Sequence, residues 1–147
     1  MKKGGRRKAR IAAMEILYRA DLLGDEIEDL VKEVQKRFAL TGDALFYLLR
    51  LITEIKKNRK KIDRMIKKNL KDWKFSRLHL LDKAIMRVAT CELLFFPDIP
   101  PKVAIDEAIE ISKEYTDDSG RRFINAVLAA IYKEIENENR PHLGHSL

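Results

Sequence analysis

The chain has 147 residues, 30 of them Lys or Arg and 23 Asp or Glu, for a formal balance of +7. This length fits one domain burying roughly 70% of its unfolded surface, with no need of a disulfide or metal. The single cysteine, Cys91, excludes an internal bridge and suits a reducing cytoplasm. Arg10, Glu15, Arg19 and Asp21 interrupt any signal-peptide core, and no window approaches about 18 consecutive apolar residues, so neither secretion nor a membrane span is expected.

The charge is unevenly spread. Residues 1–10 hold six basic groups and no acid, and residues 56–77 hold eleven basic groups against two acids, while the stretches between and after them are acidic. Apolar residues recur at helical spacing nearly throughout, and seven helices are expected. The first runs from about Arg7 to Leu23 with Ala13, Ile16, Leu17 and Ala20 on its core stripe, and Gly24 is placed to stop it. The second shows Ile27, Leu30, Val31, Val34 and Phe38, with Asp25 and Glu28 spaced as a capping box. Thr41 to Asp43 punctuates the chain before a third, with Leu45, Leu48, Leu49, Ile52 and Ile55; a short break near Asn58 leads to a fourth, with Ile62, Met65, Ile66 and Leu70. Ser76 reads as the cap of a fifth helix, apolar on two sides and therefore central. Three prolines between Phe96 and Pro101 end it. The sixth shows Ile105, Ala108, Ile109 and Ser112; a polar turn from Thr116 to Gly120 precedes the seventh, with Ile124, Val127, Leu128, Ile131 and Ile135. No segment reads as a strand. The expected domain spans residues 1–135, with a disordered polar tail over 136–147.

Motifs for catalysis are missing: there is no phosphate loop, CxxC pair, HExxH or GxSxG. His142 and His145 lie in the polar tail without a ligand framework, His79 stands alone on a helix, and Glu107 with Glu110 matches an ordinary exposed helical face. Neither an enzyme nor a metal or cofactor site is expected.

The first helix carries more information. At 100° per residue from Arg7, Arg10 lies at about −60°, Met14 at about −20°, Tyr18 at about +20° and Ile11 at about +40°, well away from the core stripe. This second face is cationic at its start and aromatic or apolar beyond. Arginines pair bidentately with phosphates and a tyrosine ring can stack an unpaired base, with Lys2, Lys3 and Lys8 adding electrostatic reach. The alternative is that Tyr18 packs against another helix and the arginines form a solvated end. Cations at a helix N-terminus oppose the macrodipole, which favours a functional reason for them. The block from Lys56 to Arg77 reads first as a solvated face. Trp73 and Phe75, which follow at the helix break, are either stacking surfaces or core anchors.

Four stretches in order resemble the NusB family of bacterial transcription antitermination factors: RRKARIAAMEILY at 6–18, AIMRVATCELL at 84–94, PPKVAIDEAIEISKEY at 100–115 and RFINAVLAAI at 122–131. The resemblance implies an all-α fold of about seven helices in two small helical bundles packed across each other, without catalytic activity. It also implies binding to single-stranded boxA RNA of ribosomal RNA leader transcripts jointly with the ribosomal protein NusE, in an antitermination complex on RNA polymerase. Carried onto this chain, the implied RNA contacts are Lys3, Arg6, Arg7, Arg10 and Tyr18 on the first helix. Around the last turn they are Tyr115, Asp118, Ser119, Arg121, Arg122 and Phe123. Tyr18, Asp82 and Arg87 are the implied NusE contacts, although Arg87 and Glu92 could instead pair internally. The basic block at 56–77 is not a hallmark of the family.

Two other readings remain. NusB-like domains are also found fused to ribosomal RNA methyltransferases, so the chain could be a targeting module for a separate RNA-modifying enzyme; no S-adenosylmethionine-binding βαβ segment follows in the sequence. A homodimer that hides the arginine face when idle is the other.

Overall fold

The structure is a computed structural model and describes residues 4–139. It contains seven α-helices among the described residues: α1 (Gly5–Leu23), α2 (Ile27–Arg37), α3 (Gly42–Lys57), α4 (Arg59–Lys68), α5 (Leu80–Phe95), α6 (Pro101–Tyr115) and α7 (Asp118–Asn139). The expected all-α architecture is therefore observed. The first three helices form one bundle and the last four a second, joined where α1 and α3 pack against α5.

Local chemistry explains most boundaries. Gly24 takes φ 73° and donates its N–H to Ala20 O at 2.9 Å, closing α1 in the left-handed conformation that glycine adopts without a Cβ penalty. Asn58 ends α3 and starts α4, its Nδ2 donating to Glu54 O at 2.9 Å. Pro101 sits at the first position of α6, where the missing N–H costs nothing.

Three boundaries differ from the sequence expectation. Asp25 does not cap α2; Glu26 occupies that position without a side-chain bond. Ser76 does not cap α5 either. It lies in a 3₁₀ turn, Phe75–Arg77, and α5 begins at Leu80. The Phe75 ring lies beneath the Lys83 ammonium at 4.4 Å and the Arg87 guanidinium at 5.4 Å, so the chain is folded back along α5 before that helix starts. Lastly, α7 continues past Ile135 to Asn139.

Every residue from Asp82 to Glu92 is buried, which places α5 in the middle as its two apolar sides require. On α3 the core stripe is shifted from the expected one. Tyr47 and Leu51 are inside, while Leu49 and Phe46 are exposed. Tyr47 can be buried because its hydroxyl donates to Glu92, satisfying the polar end of the ring, whose edge meets Phe96 at 5.6 Å.

Candidate functional site

A cleft of about 700 Å³ is formed by both bundles. Tyr18 enters from the second half of α1, and Leu80, Leu81 and Asp82 from the start of α5. Trp73, Arg77 and His79 come from the connection between α4 and α5. The turn from α6 into α7 supplies Tyr115, Thr116, Asp117, Ser119, Gly120 and Phe123.

That turn is held from within. Thr116 Oγ1 donates to Ser112 O at 2.9 Å, and the Gly120 N–H donates to Asp117 Oδ1 at 2.7 Å, which makes Asp117 the cap of α7. A Cβ on Gly120 would stand 3.1 Å from the Thr116 Cβ, so the backbone approaches as closely as it does because the residue is glycine. Trp73 is 59% exposed and stands edge-on to Phe123, ring centres 5.6 Å apart. An exposed indole presents a face on which another ring can stack.

Asp82 is the polar counterpart of these rings. It is 7% exposed, yet among the described residues no hydrogen bond or ion pair reaches its carboxylate. Burial raises its pKa from the ordinary aspartate value, with His79 opposing the shift and Asp117 adding to it. A carboxylate in that setting is a ready acceptor for a cation or an amino group arriving from outside.

The arginines at the start of α1 lie in a different place. Arg7 makes a bidentate pair with Glu107 at 2.9 and 2.7 Å, and Arg6 reaches Asp43 at 3.4 Å. Arg10 points inward, 4% exposed, donating to Glu92 at 2.8 Å and to Glu107 at 3.3 Å. Burial acts against its charge, but Glu92, Tyr47 and Glu107 together outweigh that effect and keep the guanidinium protonated. From Arg6 to Tyr18 the helix rises about 18 Å, and Ile11 and Met14 between them are buried. The face inferred from helical angles is thus interrupted by the packing of α1 against α5, leaving exposed chemistry only at its two ends.

Comparison with known proteins identifies the lineage. The profile of the NusB family matches residues 7–133. The chain belongs to the NusB family. It is 41% identical over 126 residues to the transcription antitermination protein NusB of Bacillus mycoides (strain KBAB4), covering 86% of this chain and 95% of that one. To the NusB of Chloroherpeton thalassium it is 33% identical over 138 residues, covering 93% of this chain but 65% of that longer one. Its structure is similar to that of T. maritima NusB, with a TM-score of 0.82 and 36% identity over 91% of this chain and 94% of that one. A crystal structure of the antitermination factors NusB and NusE in complex with dsRNA contains a chain similar to this one at TM-score 0.81 and 31% identity, covering 88% and 97%.

Of the residues singled out by the NusB resemblance, the cleft gathers Tyr18, Asp82, Tyr115, Ser119 and Phe123. Arg10 is a correction: it is an interior ion-pair residue and not part of an exposed face. Arg87 is another. It is buried and binds Asp63 at 2.8 and 3.0 Å and Asp21 at 2.6 Å, so it neither faces outward nor pairs with Glu92, whose partners are Arg10 and Tyr47. Asp118 is exposed and paired with Arg121 at 2.9 Å; its neighbour Asp117, with Asp82, lines the cleft. Arg122 is exposed beside the cleft's rim residues. Lys3, His142 and His145 lie outside the described residues. Glu107 and Glu110 serve Arg7 and Lys113. In the sequence Trp73 fits either an anchor or a stacking surface, and nothing there assigns Arg77, His79 or Asp117 to a site. The available signal is an aromatic pair within the end of a basic block. Cys91 is buried, and burial raises its thiol pKa. Among the described residues no cluster of three or more His, Cys, Asp or Glu could hold a metal, and no helix is long and apolar enough to cross a membrane.

Proposed function

We propose that this chain is an RNA-binding transcription antitermination factor that holds the boxA element of ribosomal RNA leader transcripts jointly with NusE, within a complex on RNA polymerase. One observation carries the reading: the cleft combines four aromatic rings with a buried, unpartnered carboxylate. Rings offer stacking to unpaired bases, and a carboxylate accepts from a base amino group or a partner's cation. The similarity to NusB in a complex containing NusE and RNA supports the same choice of ligands.

In this reading the Trp73, Tyr115 and Phe123 side of the cleft meets RNA, with Ser119 as a hydrogen-bonding group. Tyr18 and Asp82 meet NusE. Arg6, Arg7 and Arg122, with Lys3, meet phosphates, and a phosphate at Arg7 competes with Glu107 for the guanidinium. Arg10 contributes indirectly, by holding Glu107, the partner of Arg7, in place. RNA and protein partner bind cooperatively because each completes the surface that the other uses.

The experiment is a titration of boxA and scrambled RNA, with and without NusE, on the wild type, Tyr18→Ala and Trp73→Ala. NusE is expected to tighten boxA more than the scrambled strand. Trp73→Ala should weaken boxA by about 1–3 kcal/mol, the value of one stacked base, with the melting temperature nearly unchanged. Tyr18→Ala should reduce the gain from NusE. Equal affinities for both RNAs with and without NusE would overturn the proposal.

A further inference from the structure

Within the basic block Lys56 and Lys68 hold Glu28 and Glu134, but the row along the outer side of α4 is uncompensated. α4 has one carboxylate of its own, Asp63, and the fold turns it inward to Arg87 and Arg59. Lys60, Arg64 and Lys67 lie opposite Ile62, Met65 and Ile66, within about 60° of one another around the helix axis, and all three are exposed. Among the described residues, none of the three has a carboxylate within ion-pair distance. Cations elsewhere are commonly matched: Arg7, Arg19, Arg37 and Arg50 each hold at least one carboxylate. Helix stability does not account for the row: Lys60 and Arg64, four residues apart, repel and Lys60 opposes the dipole in the first turn, while only Lys67, in the last turn, complements it. The row also continues beyond the helix, through the exposed Lys71 and Lys74 to Arg77. There it reaches the cleft, because Arg77 and Trp73 are both part of the cleft wall.

We propose that this row is a phosphate track for single-stranded RNA: a strand whose bases occupy the aromatic cleft continues past Trp73 and lays its backbone along α4. Stacking rings contiguous with cations that hold no carboxylate are the pattern that single strands require. The track reads no sequence, so it binds whatever nucleotides flank the element held in the cleft. This inference rests on the RNA reading of the cleft and extends it to a surface that the family resemblance did not single out.

The test uses a triple variant, Lys60→Gln with Arg64→Gln and Lys71→Gln, whose side chains are all exposed; unchanged helical circular dichroism verifies its fold. Two RNAs are compared over a salt series, one ending at the boxA core and one extended on both sides by about eight unstructured nucleotides, within the site sizes of single-strand binders. The wild type is expected to bind the extended RNA more tightly and with a steeper salt dependence. In the triple variant the log–log slope for extended RNA should become shallower by about 2, at about 0.7 for each phosphate no longer neutralised, with the core RNA unaffected. Identical slopes and affinities for extended RNA in the two proteins would overturn the track while leaving the cleft reading intact. If the core RNA binds the wild type no better than a scrambled strand, the cleft reading falls and takes the track with it. Polyglutamate that binds the wild type as tightly as the extended RNA does, and loses that affinity in the triple variant, would reassign the row to an acidic polypeptide and overturn the track.

Discussion

Arg10 and Asp82 are both buried charges, and they differ in whether the fold supplies a partner. Arg10 has Glu92, Glu107 and the Tyr47 hydroxyl around it. Removing it leaves Glu92 charged in the interior, so Arg10→Ala should cost about 3–5 kcal/mol in urea unfolding, whereas replacing Arg10 and Glu92 together with apolar residues should cost much less. An Arg10→Ala protein of unchanged stability would return Arg10 to the exposed face inferred from helical angles. Asp82 has no partner among the described residues, and its raised pKa means that the folded state resists its ionisation. Its unfavourable effect is absent below the unfolded pKa of about 3.9 and develops as pH rises through the higher folded value. Asp82→Asn should therefore stabilise the protein near pH 7 and have little effect near pH 3, while weakening the partner complex. A gain that is the same at both pH values would show that ionisation is not the cause.

At the scale of single elements, α2 ends in a six-residue motif without its usual glycine. The Leu40 N–H donates to Gln35 O at 3.0 Å and the Ala39 N–H to Lys36 O at 3.0 Å, with Ala39 at φ 52°. This is the Schellman arrangement with alanine at the left-handed position. Ala39→Gly should stabilise the protein by about 0.5–1 kcal/mol, since relief of the left-handed strain exceeds the extra chain entropy of glycine. A urea midpoint that fails to rise would show that the backbone is relaxed there. The sequence does not reveal such a turn, because alanine is an ordinary helix former and nothing local marks it as an end. Gly24 is legible as a stop because glycine itself is the signal. In α1 the periodicity correctly locates the core stripe, but burial extends from Ala9 to Leu17 save for the partly buried Glu15, because α5 covers the side that α2 and α3 leave open.

For the molecule as a whole, the joint between the bundles is both apolar and charged. Arg87 of α5 ties Asp21 at the end of α1 to Asp63 of α4, and Arg59 reaches the same two carboxylates at 3.1 and 3.4 Å. Arg87→Ala should cost about 2–4 kcal/mol, at the low end of buried-pair losses because Arg59 retains part of the compensation. Unfolding should remain a single transition, since one apolar core runs through both bundles. Two separate transitions by circular dichroism and tryptophan fluorescence would show the bundles to be independent.

Sequence alone determined the helical class, the seven segments, the central position of α5 and the family, because these follow from local periodicity, turn chemistry and residue order. It also indicated both basic blocks and the two halves of the cleft, Tyr18 on one helix and Tyr115 to Phe123 on another turn. What only the tertiary structure decided is which charges are used inside. Arg10 reads in the sequence as part of an exposed face, and Arg87 as a partner contact or one half of a pair with Glu92; both are interior, Arg87 on the half-buried Asp63, because α1, α4 and α5 pack their polar positions against one another. Trp73 has the opposite fate: a residue suited to anchoring the core is left exposed because its ring is turned to the cleft, edge-on to Phe123 from a helix fifty residues later in the chain. Contacts between residues so far apart depend on how separate helices pack together, and no periodicity within a single helix records that.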